Sequence, residues 1–159
     1  VGDTEMWLGE NPGIVILKTE DGEFASALLE TNFPAVWTVL ERMDGTTPSA
    51  ARVGAGELLG AVKFATAMSN NVNHHVGLDV AKNIIVVTSS EQEKGDSEHT
   101  IACELTGKPF SVKLDGNYVC QILEPLKSLD LLIKYAPGFF FTVSVDGKDD
   151  YVHGISPLG

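Results

Sequence analysis

The sequence predicts an α+β fold in which one βαβββ unit is written twice, as pseudo-twofold halves, after an orphan three-stranded segment. Three observations predict it. Short segments rich in Val, Ile, Leu and Phe recur between turn signals along the chain. Two stretches with apolar residues at helical spacing interrupt them, and a strand precedes and three strands follow each. A repeated supersecondary unit of this kind must bury its helix against its sheet.

Residues 5–8, 13–18 and 24–29 read as strands, separated by Glu10-Asn11-Pro12-Gly13 and by Glu20-Asp21-Gly22. Three such strands make a meander, which cannot stand alone with one apolar face uncovered. They resemble the end of a third copy of the unit. Residues 31–50 carry Pro34, Gly45 and Pro48 and show no sustained period. Phe33, Val36, Trp37, Val39 and Leu40 make this stretch too apolar for a free linker. An extended crossing segment lying against a domain is expected, with an exposed tip at Asp44-Gly45-Thr46-Thr47.

From Ala51 the order is clearer. Residues 52–55 form a short strand and 56–70 a helix whose inner face is Leu58, Val62, Ala65 and Met68. Strands follow at 76–80, 83–89 and 99–105, with the acidic run 91–96 as a solvated loop. The second copy then places a strand at 110–114 and a helix at 117–127 with Val119, Ile122, Leu123 and Leu126 inward. Its three strands are 131–135, 139–145 and 151–155. Pro125 should kink or shorten that second helix, because it lacks an N–H and crowds the preceding turn.

At 159 residues, with 43% hydrophobic and 21% charged side chains, the chain has room for one domain or one domain plus a fragment. A chain of this size buries roughly 70% of the surface its unfolded form exposes, so a core forms without staples. No apolar run approaches the ~20 residues of a membrane-spanning helix. No basic n-region followed by an apolar stretch is visible. Val1 in place of Met suggests that the chain was cut from something longer.

Charge excludes gripping nucleic acid by phosphate neutralisation. Eleven Lys and Arg against 22 Asp and Glu leave a net charge of −11, and the basic residues are scattered. Cys103 and Cys120 lack any CxxC spacing and read as small buried hydrophobes in a reducing compartment, although sequence alone leaves a disulfide open. His74 and His75 sit side by side, with His99 and His153 far off, and no HExxH or Cys/His spacing links them, so no metal is expected. Gly54-Ala55-Gly56 precedes a helix but lacks the third glycine of a phosphate loop. No GxSxG is present, and Asp149-Asp150 falls in a hairpin tip where acids favour turns. No enzyme and no cofactor are expected.

Asn32-Phe33-Pro34-Ala35-Val36-Trp37-Thr38-Val39-Leu40 resembles the interdomain connector of the bacterial sliding clamp, the β subunit of DNA polymerase III. The helix phrase from Ala55 to Ala65, then Met68-Ser69-Asn70, follows in the same order. Leu114-Asp115-Gly116-Asn117-Tyr118-Val119-Cys120-Gln121-Ile122-Leu123 resembles the second helix phrase of that family. The resemblance covers essentially the whole chain and implies the DNA-clamp fold. Residues 1–31 would be the last strands of a preceding domain, 32–50 the connector and 51–159 a complete clamp domain.

The resemblance implies a non-enzymatic, cytoplasmic processivity factor, a homo-oligomeric ring that encircles duplex DNA and tethers a DNA polymerase. Encirclement needs no tight grip, so the acidic charge is no obstacle, and tethering acts by raising local concentration. Partners would insert a short peptide, a Gln followed by hydrophobic residues, into a pocket carried over onto Pro34, Val39, Tyr118, Val152 and Gly154. Arg52, Lys63 and Lys127 would face the DNA, against Glu57 and Glu124. Two departures stand out. That basic set is sparse, and the chain ends Tyr151-Val152-His153-Gly154-Ile155-Ser156-Pro157-Leu158-Gly159 where the family has a Met-containing phrase. Gly154 should make the pocket wider and less apolar, and the peptide affinity micromolar or weaker. A diverged clamp-fold binding module or decoy that does not encircle DNA, and an unrelated acidic β-rich interaction domain, are the competing readings.

Overall fold

The computed structural model describes residues 5–8, 13–28, 35–46, 48–69, 74–91, 95–148 and 151–158. The chain forms two compact units, Val1–Ala35 and Val36–Gly159. In the first, β1 (Glu5–Leu8), β2 (Ile14–Thr19) and β3 (Gly22–Ala27) make an antiparallel meander in that order. The register sets Met6 beside Leu17 and Leu17 beside Phe24, so these side chains share one face. Met6 and Phe24 are 68% and 62% exposed, and no helix among the described residues of this unit covers them. An apolar face of this kind is what the orphan-strand reading requires.

The second unit runs α1 (Val36–Asp44), β4 (Ser49–Gly54), α2 (Ala55–Met68), β5 (His75–Ala81), β6 (Ile84–Glu91) and β7 (Gly95–Ala102). It continues with β8 (Glu104–Thr106), β9 (Phe110–Asp115), α3 (Gly116–Leu123), a 3-10 turn (Glu124–Leu126), β10 (Asp130–Tyr135), β11 (Phe141–Val145) and β12 (Val152–Ile155). The strands form two antiparallel sheets, ordered β12-β11-β10-β4-β8 and β7-β6-β5-β9. The first strand of each half therefore joins the other half's sheet: β4 pairs with β10, and β9 pairs with β5. This exchange is the pseudo-twofold relation, and it knits the halves into one core.

That core follows the strand alternation. Val76, Leu78 and Val80 on β5, Leu131 and Ile133 on β10, and Phe141 and Val143 on β11 are buried with Leu58, Val62 and Ala65 of α2 and Val119 and Leu123 of α3. Each such side chain contributes about 1.5–3 kcal/mol relative to an exposed position. Where the helices meet, a Cβ on Gly116 would collide with Thr66 Oγ1 and with Val76 Cγ2, so only glycine fits. Asp115 caps α3 by accepting from the Asn117 N–H at 2.8 Å. Beyond β12, the Leu158 N–H donates to the Lys113 carbonyl at 2.9 Å and ties the chain end to β9.

Four local readings change. Residues 36–44 are helical, not extended: Val36, Val39, Leu40 and Met43 recur at helical spacing, and the flanking Pro34, Gly45 and Pro48 had masked so short a period. Thr46 ends that helix, its hydroxyl donating to the Met43 carbonyl at 2.6 Å. The expected strand 99–105 is two strands, β7 and β8, in different sheets, with the Cys103 N–H turned onto the Asn83 carbonyl between them. The acidic run is largely hairpin, because Glu91 pairs with Gly95 and Ser90 with Asp96, while residues 92–94 lie outside the described residues. The second helix stops at Leu123, and Pro125 sits in a 3-10 turn, begun by Glu124, that carries Leu126 into the core.

Candidate functional site

Two surfaces of the second unit hold the candidate residues, on opposite sides of the sheet that contains β4 and β10–β12. On that sheet Ala51, Val53, Leu131, Ile133, Phe141 and Val143 point toward the helices α2 and α3. The alternate residues form the outer face. The pairing builds two rungs there, Lys134–Thr142–Gly154 and Leu132–Ser144–Val152.

Helix α1 lies on this outer face. Met43 is 2% and Thr142 3% exposed, so a polar side chain on an otherwise open sheet face is sealed over. Lys134 Nζ donates to Asp44 Oδ1 at 3.0 Å and anchors the last turn of the helix. Between α1 and the strands runs a groove of about 330 Å³ with Trp37 and Leu40 on one wall and Leu132, Thr142 and Val152 on the floor. Lys134, Lys148 and Glu41 border it. Trp37 is 70% exposed, an apolar side chain left at the lip of an apolar groove. A surface of this shape can bury one or two apolar side chains of an extended segment, with charged groups at the rim to orient it.

The structure brings Val39, Val152 and Gly154 to this side of the sheet. Val152 lines the groove, whereas Val39, half-buried on α1, and Gly154 do not line it. Pro34 lies outside the described residues. Tyr118 sits on α3, on the opposite side of the sheet, and does not line the groove. Gly154 does not open the pocket as expected. A Cβ built there would lie 3.3 Å from Phe140 Cδ2 and 3.5 Å from its Cγ, so the Phe140 ring occupies the space the glycine leaves. Sequence reasoning missed Trp37, Leu40 and Leu132. The spacing of Trp37, Leu40 and Asp44 along one helical stripe was the available signal for the α1 wall.

The helix side is different in kind. Lys63 on α2 and Glu124 after α3 form a direct ion pair, and Lys127 reaches the same carboxylate at 3.9 Å. Lys63 holds the Glu124 carboxyl below its ordinary range, chiefly by hydrogen bonding, and Glu124 raises the Lys63 ammonium in return. Both groups are about half exposed, so the pair adds little stability. Its larger effect is on the potential: two lysines are offset by Glu124 and by the exposed Glu57 on α2. Phe64, 52% exposed, stacks obliquely on His99 with ring centroids 5.8 Å apart. Arg52 is not with these lysines. It projects from the outer face of β4, donating from Nε to Asp146 Oδ1 at 3.1 Å with Glu104 3.8 Å away.

Among the described residues no group of three or more His, Cys, Asp or Glu side chains could hold a metal ion. Cys103 and Cys120 are free thiols, and burial pushes both above the ordinary thiol value. No helix among the described residues is long and apolar enough to cross a membrane.

No protein-family model matches the chain. It is 24% identical over 141 residues to the Beta sliding clamp of Treponema pallidum (strain Nichols), a match covering 86% of this chain and 37% of that protein. The fold matches the DNA polymerase sliding clamp of Pseudomonas aeruginosa, solved with a ligand, at a TM-score of 0.83 and 18% identity, over 99% of this chain and 42% of that one. It matches the DnaN sliding clamp of Bartonella birtlesii, solved bound to griselimycin, at 0.79 and 15% identity, over 94% and 40%. The chain spans about two fifths of the length of these relatives. It has the fold of the bacterial β sliding clamp over that span and resembles that family in sequence.

Proposed function

We propose that the chain is part of a DNA sliding clamp, a non-enzymatic processivity factor that tethers a DNA polymerase to duplex DNA by encirclement. Residues 1–31 then belong to a preceding domain, 32–50 to the connector and 51–159 to a complete clamp domain. The outer groove beside α1 takes a short extended peptide of the partner, through Val152 together with Trp37 and Leu40. The α2/α3 side, with Lys63 and Lys127, faces the DNA. The edge strand β7 offers unpaired backbone groups for extending its sheet across a ring joint. The clamp performs no chemistry; it keeps a bound enzyme at high effective concentration along its template.

The observation that carries this reading is a clamp fold spanning nearly the whole chain, with an apolar groove formed where α1 crosses the outer sheet. A second reading has its own support. The Lys63–Glu124–Lys127 cluster cancels charge on the side that would meet DNA, and Arg52 stands on the other side. A clamp-fold module that binds partner peptides without encircling DNA would need no basic surface there. Titration of the chain with a polymerase-type peptide, followed by amide shifts, tests the groove. Shifts at Trp37, Leu40 and Val152 are expected; shifts confined to α2 and α3, or none at millimolar peptide, contradict it.

A further inference from the structure

We propose that a second cavity, at the seam between the two sheets of the second unit, is a binding site for a small planar aromatic carboxylate. It shares no lining residue with the α1 groove, and its occupation depends neither on a partner peptide nor on DNA.

The cavity encloses about 630 Å³, within the ~300–1,000 Å³ usual for small-molecule sites. Both sheets build it. Between β4 and β10 the register sets Ser49 beside Tyr135, and the alternation that buries Leu131 and Ile133 turns Tyr135 to the same inner face. Phe110 begins β9 in the other sheet, and its ring meets that of Tyr135 with centroids 5.6 Å apart and planes at 42°. Both rings pack against the core and are only half-buried, so the pair forms a floor that a third ring can join. Pro48, Pro109 and Pro137 stand in the wall, with Phe139 just after the last of them. Their fixed φ angles hold the cavity open, so little ordering is left for binding to impose, and their missing N–H groups leave the wall poor in donors. That wall suits an aromatic body.

Charge identifies the other end of the ligand. Lys108 is the single ionic side chain among the described lining residues, and no carboxylate stands with it. The Ser49 hydroxyl accepts from the Lys108 N–H at 3.1 Å and fixes that residue beside the cavity. Gly107 permits the approach: its φ is +96°, and a Cβ there would stand 3.2 Å from the Ser49 Cα. Four other cavities of this unit are each bordered by at least one carboxylate, Asp146, Asp96, Glu41 and Glu57 among them. In a chain of net charge −11, a cavity that carries one cation and no anion favours an anionic ligand over a cationic one. An aromatic ring bearing one carboxylate answers the ring floor, the proline wall and Lys108 together.

Two probes, 2-naphthoate and the neutral 2-naphthalenemethanol, share a ring system and differ in charge. Amide-shift titration of the wild-type chain with naphthoate at low salt is expected to give saturable shifts at Phe110, Ser111, Tyr135 and Phe139. Naphthoate should bind about three- to fivefold more tightly than the alcohol, as a partly exposed ion pair allows, and Lys108→Ala should bring the two within about 1.5-fold. Lys108 is exposed and its bond to Ser49 is through the backbone, so the variant retains it. The comparison of the two probes on the wild type needs no variant. Equal affinity of the wild type for both probes, or an advantage of naphthoate that survives Lys108→Ala, overturns the carboxylate assignment. Shifts centred on Trp37 and Val152 instead, or none at millimolar probe, overturn the site and leave the clamp reading untouched.

Discussion

The outer groove and the helix side use the same sheet in opposite ways. On the outer face a nine-residue helix covers only part of an apolar strip, so Trp37, Leu132 and Val152 remain reachable around about 330 Å³ of space. On the other side two helices close the core completely, and what they show to solvent is a nearly balanced set of charges. The first surface offers shape and apolar area, which reward a specific short ligand. The second offers neither area nor net charge, which suits a surface that lets something pass without holding it. Under the proposed function, the difference locates affinity on one side of the sheet and tolerance on the other.

Removing the groove's roof should have the largest effect. Met43 is the fully buried residue of α1, so Met43→Ala is expected to destabilise the second unit by about 2–3 kcal/mol and to abolish peptide binding. Chemical denaturation and peptide titration on the same sample check both. Unchanged peptide affinity would detach the groove from the helix.

Charging the helix side should sharpen the contrast. Glu124→Lys frees Lys63 and adds a cation between it and Lys127. Duplex affinity is then expected to rise several-fold at low salt. The slope of log affinity against log salt should steepen by about 0.9 for each phosphate newly neutralised, with the groove peptide unaffected. Fluorescence anisotropy with a labelled linear duplex measures this. For the unchanged chain, weak binding that falls further with salt is expected, and submicromolar affinity at physiological salt would contradict the neutral-surface account.

Much of this architecture was legible in the sequence because the repeat is written in residue types whose period differs, alternation for strands and helical spacing for α2 and α3. The strand exchange between sheets was not, since β4 and β9 read alike whichever partner they choose and pairing is a long-range choice. Helix α1 was hidden by its length and by Pro34, Gly45 and Pro48 around it. In the candidate site, the motif named Val152, which lines the groove, but not Leu132. The place of Leu132 on the groove floor depends on a rung that appears only once β10, β11 and β12 pair. Arg52 was grouped with Lys63 because the two are close in sequence, but Arg52 lies on β4 itself and strand alternation puts it on the far side.

The smallest effect concerns the ion pair itself. The Glu124 carboxyl lies below its ordinary value in the folded chain, so its stabilising contribution is present above the unfolded value, near 4.5, and is lost as pH falls through the folded one. The raised Lys63 adds a contribution present below its unfolded value of 10.5 and lost as pH rises through the folded one. Glu124→Gln should therefore lower Tm slightly at neutral pH, with the difference closing toward pH 3. A difference that persists in acid would assign the effect to packing.

The division of labour across the sheet is tested most directly by one pair of amide-shift maps on the same labelled chain, the first with a polymerase-type peptide, a Gln followed by hydrophobic residues, and the second with linear duplex DNA. The account predicts saturable peptide shifts at Trp37, Leu40, Leu132 and Val152, and with duplex only small, salt-sensitive shifts at α2 and α3 around Lys63 and Lys127. Peptide shifts centred on α2 and α3, or duplex shifts centred on the α1 groove, would contradict it.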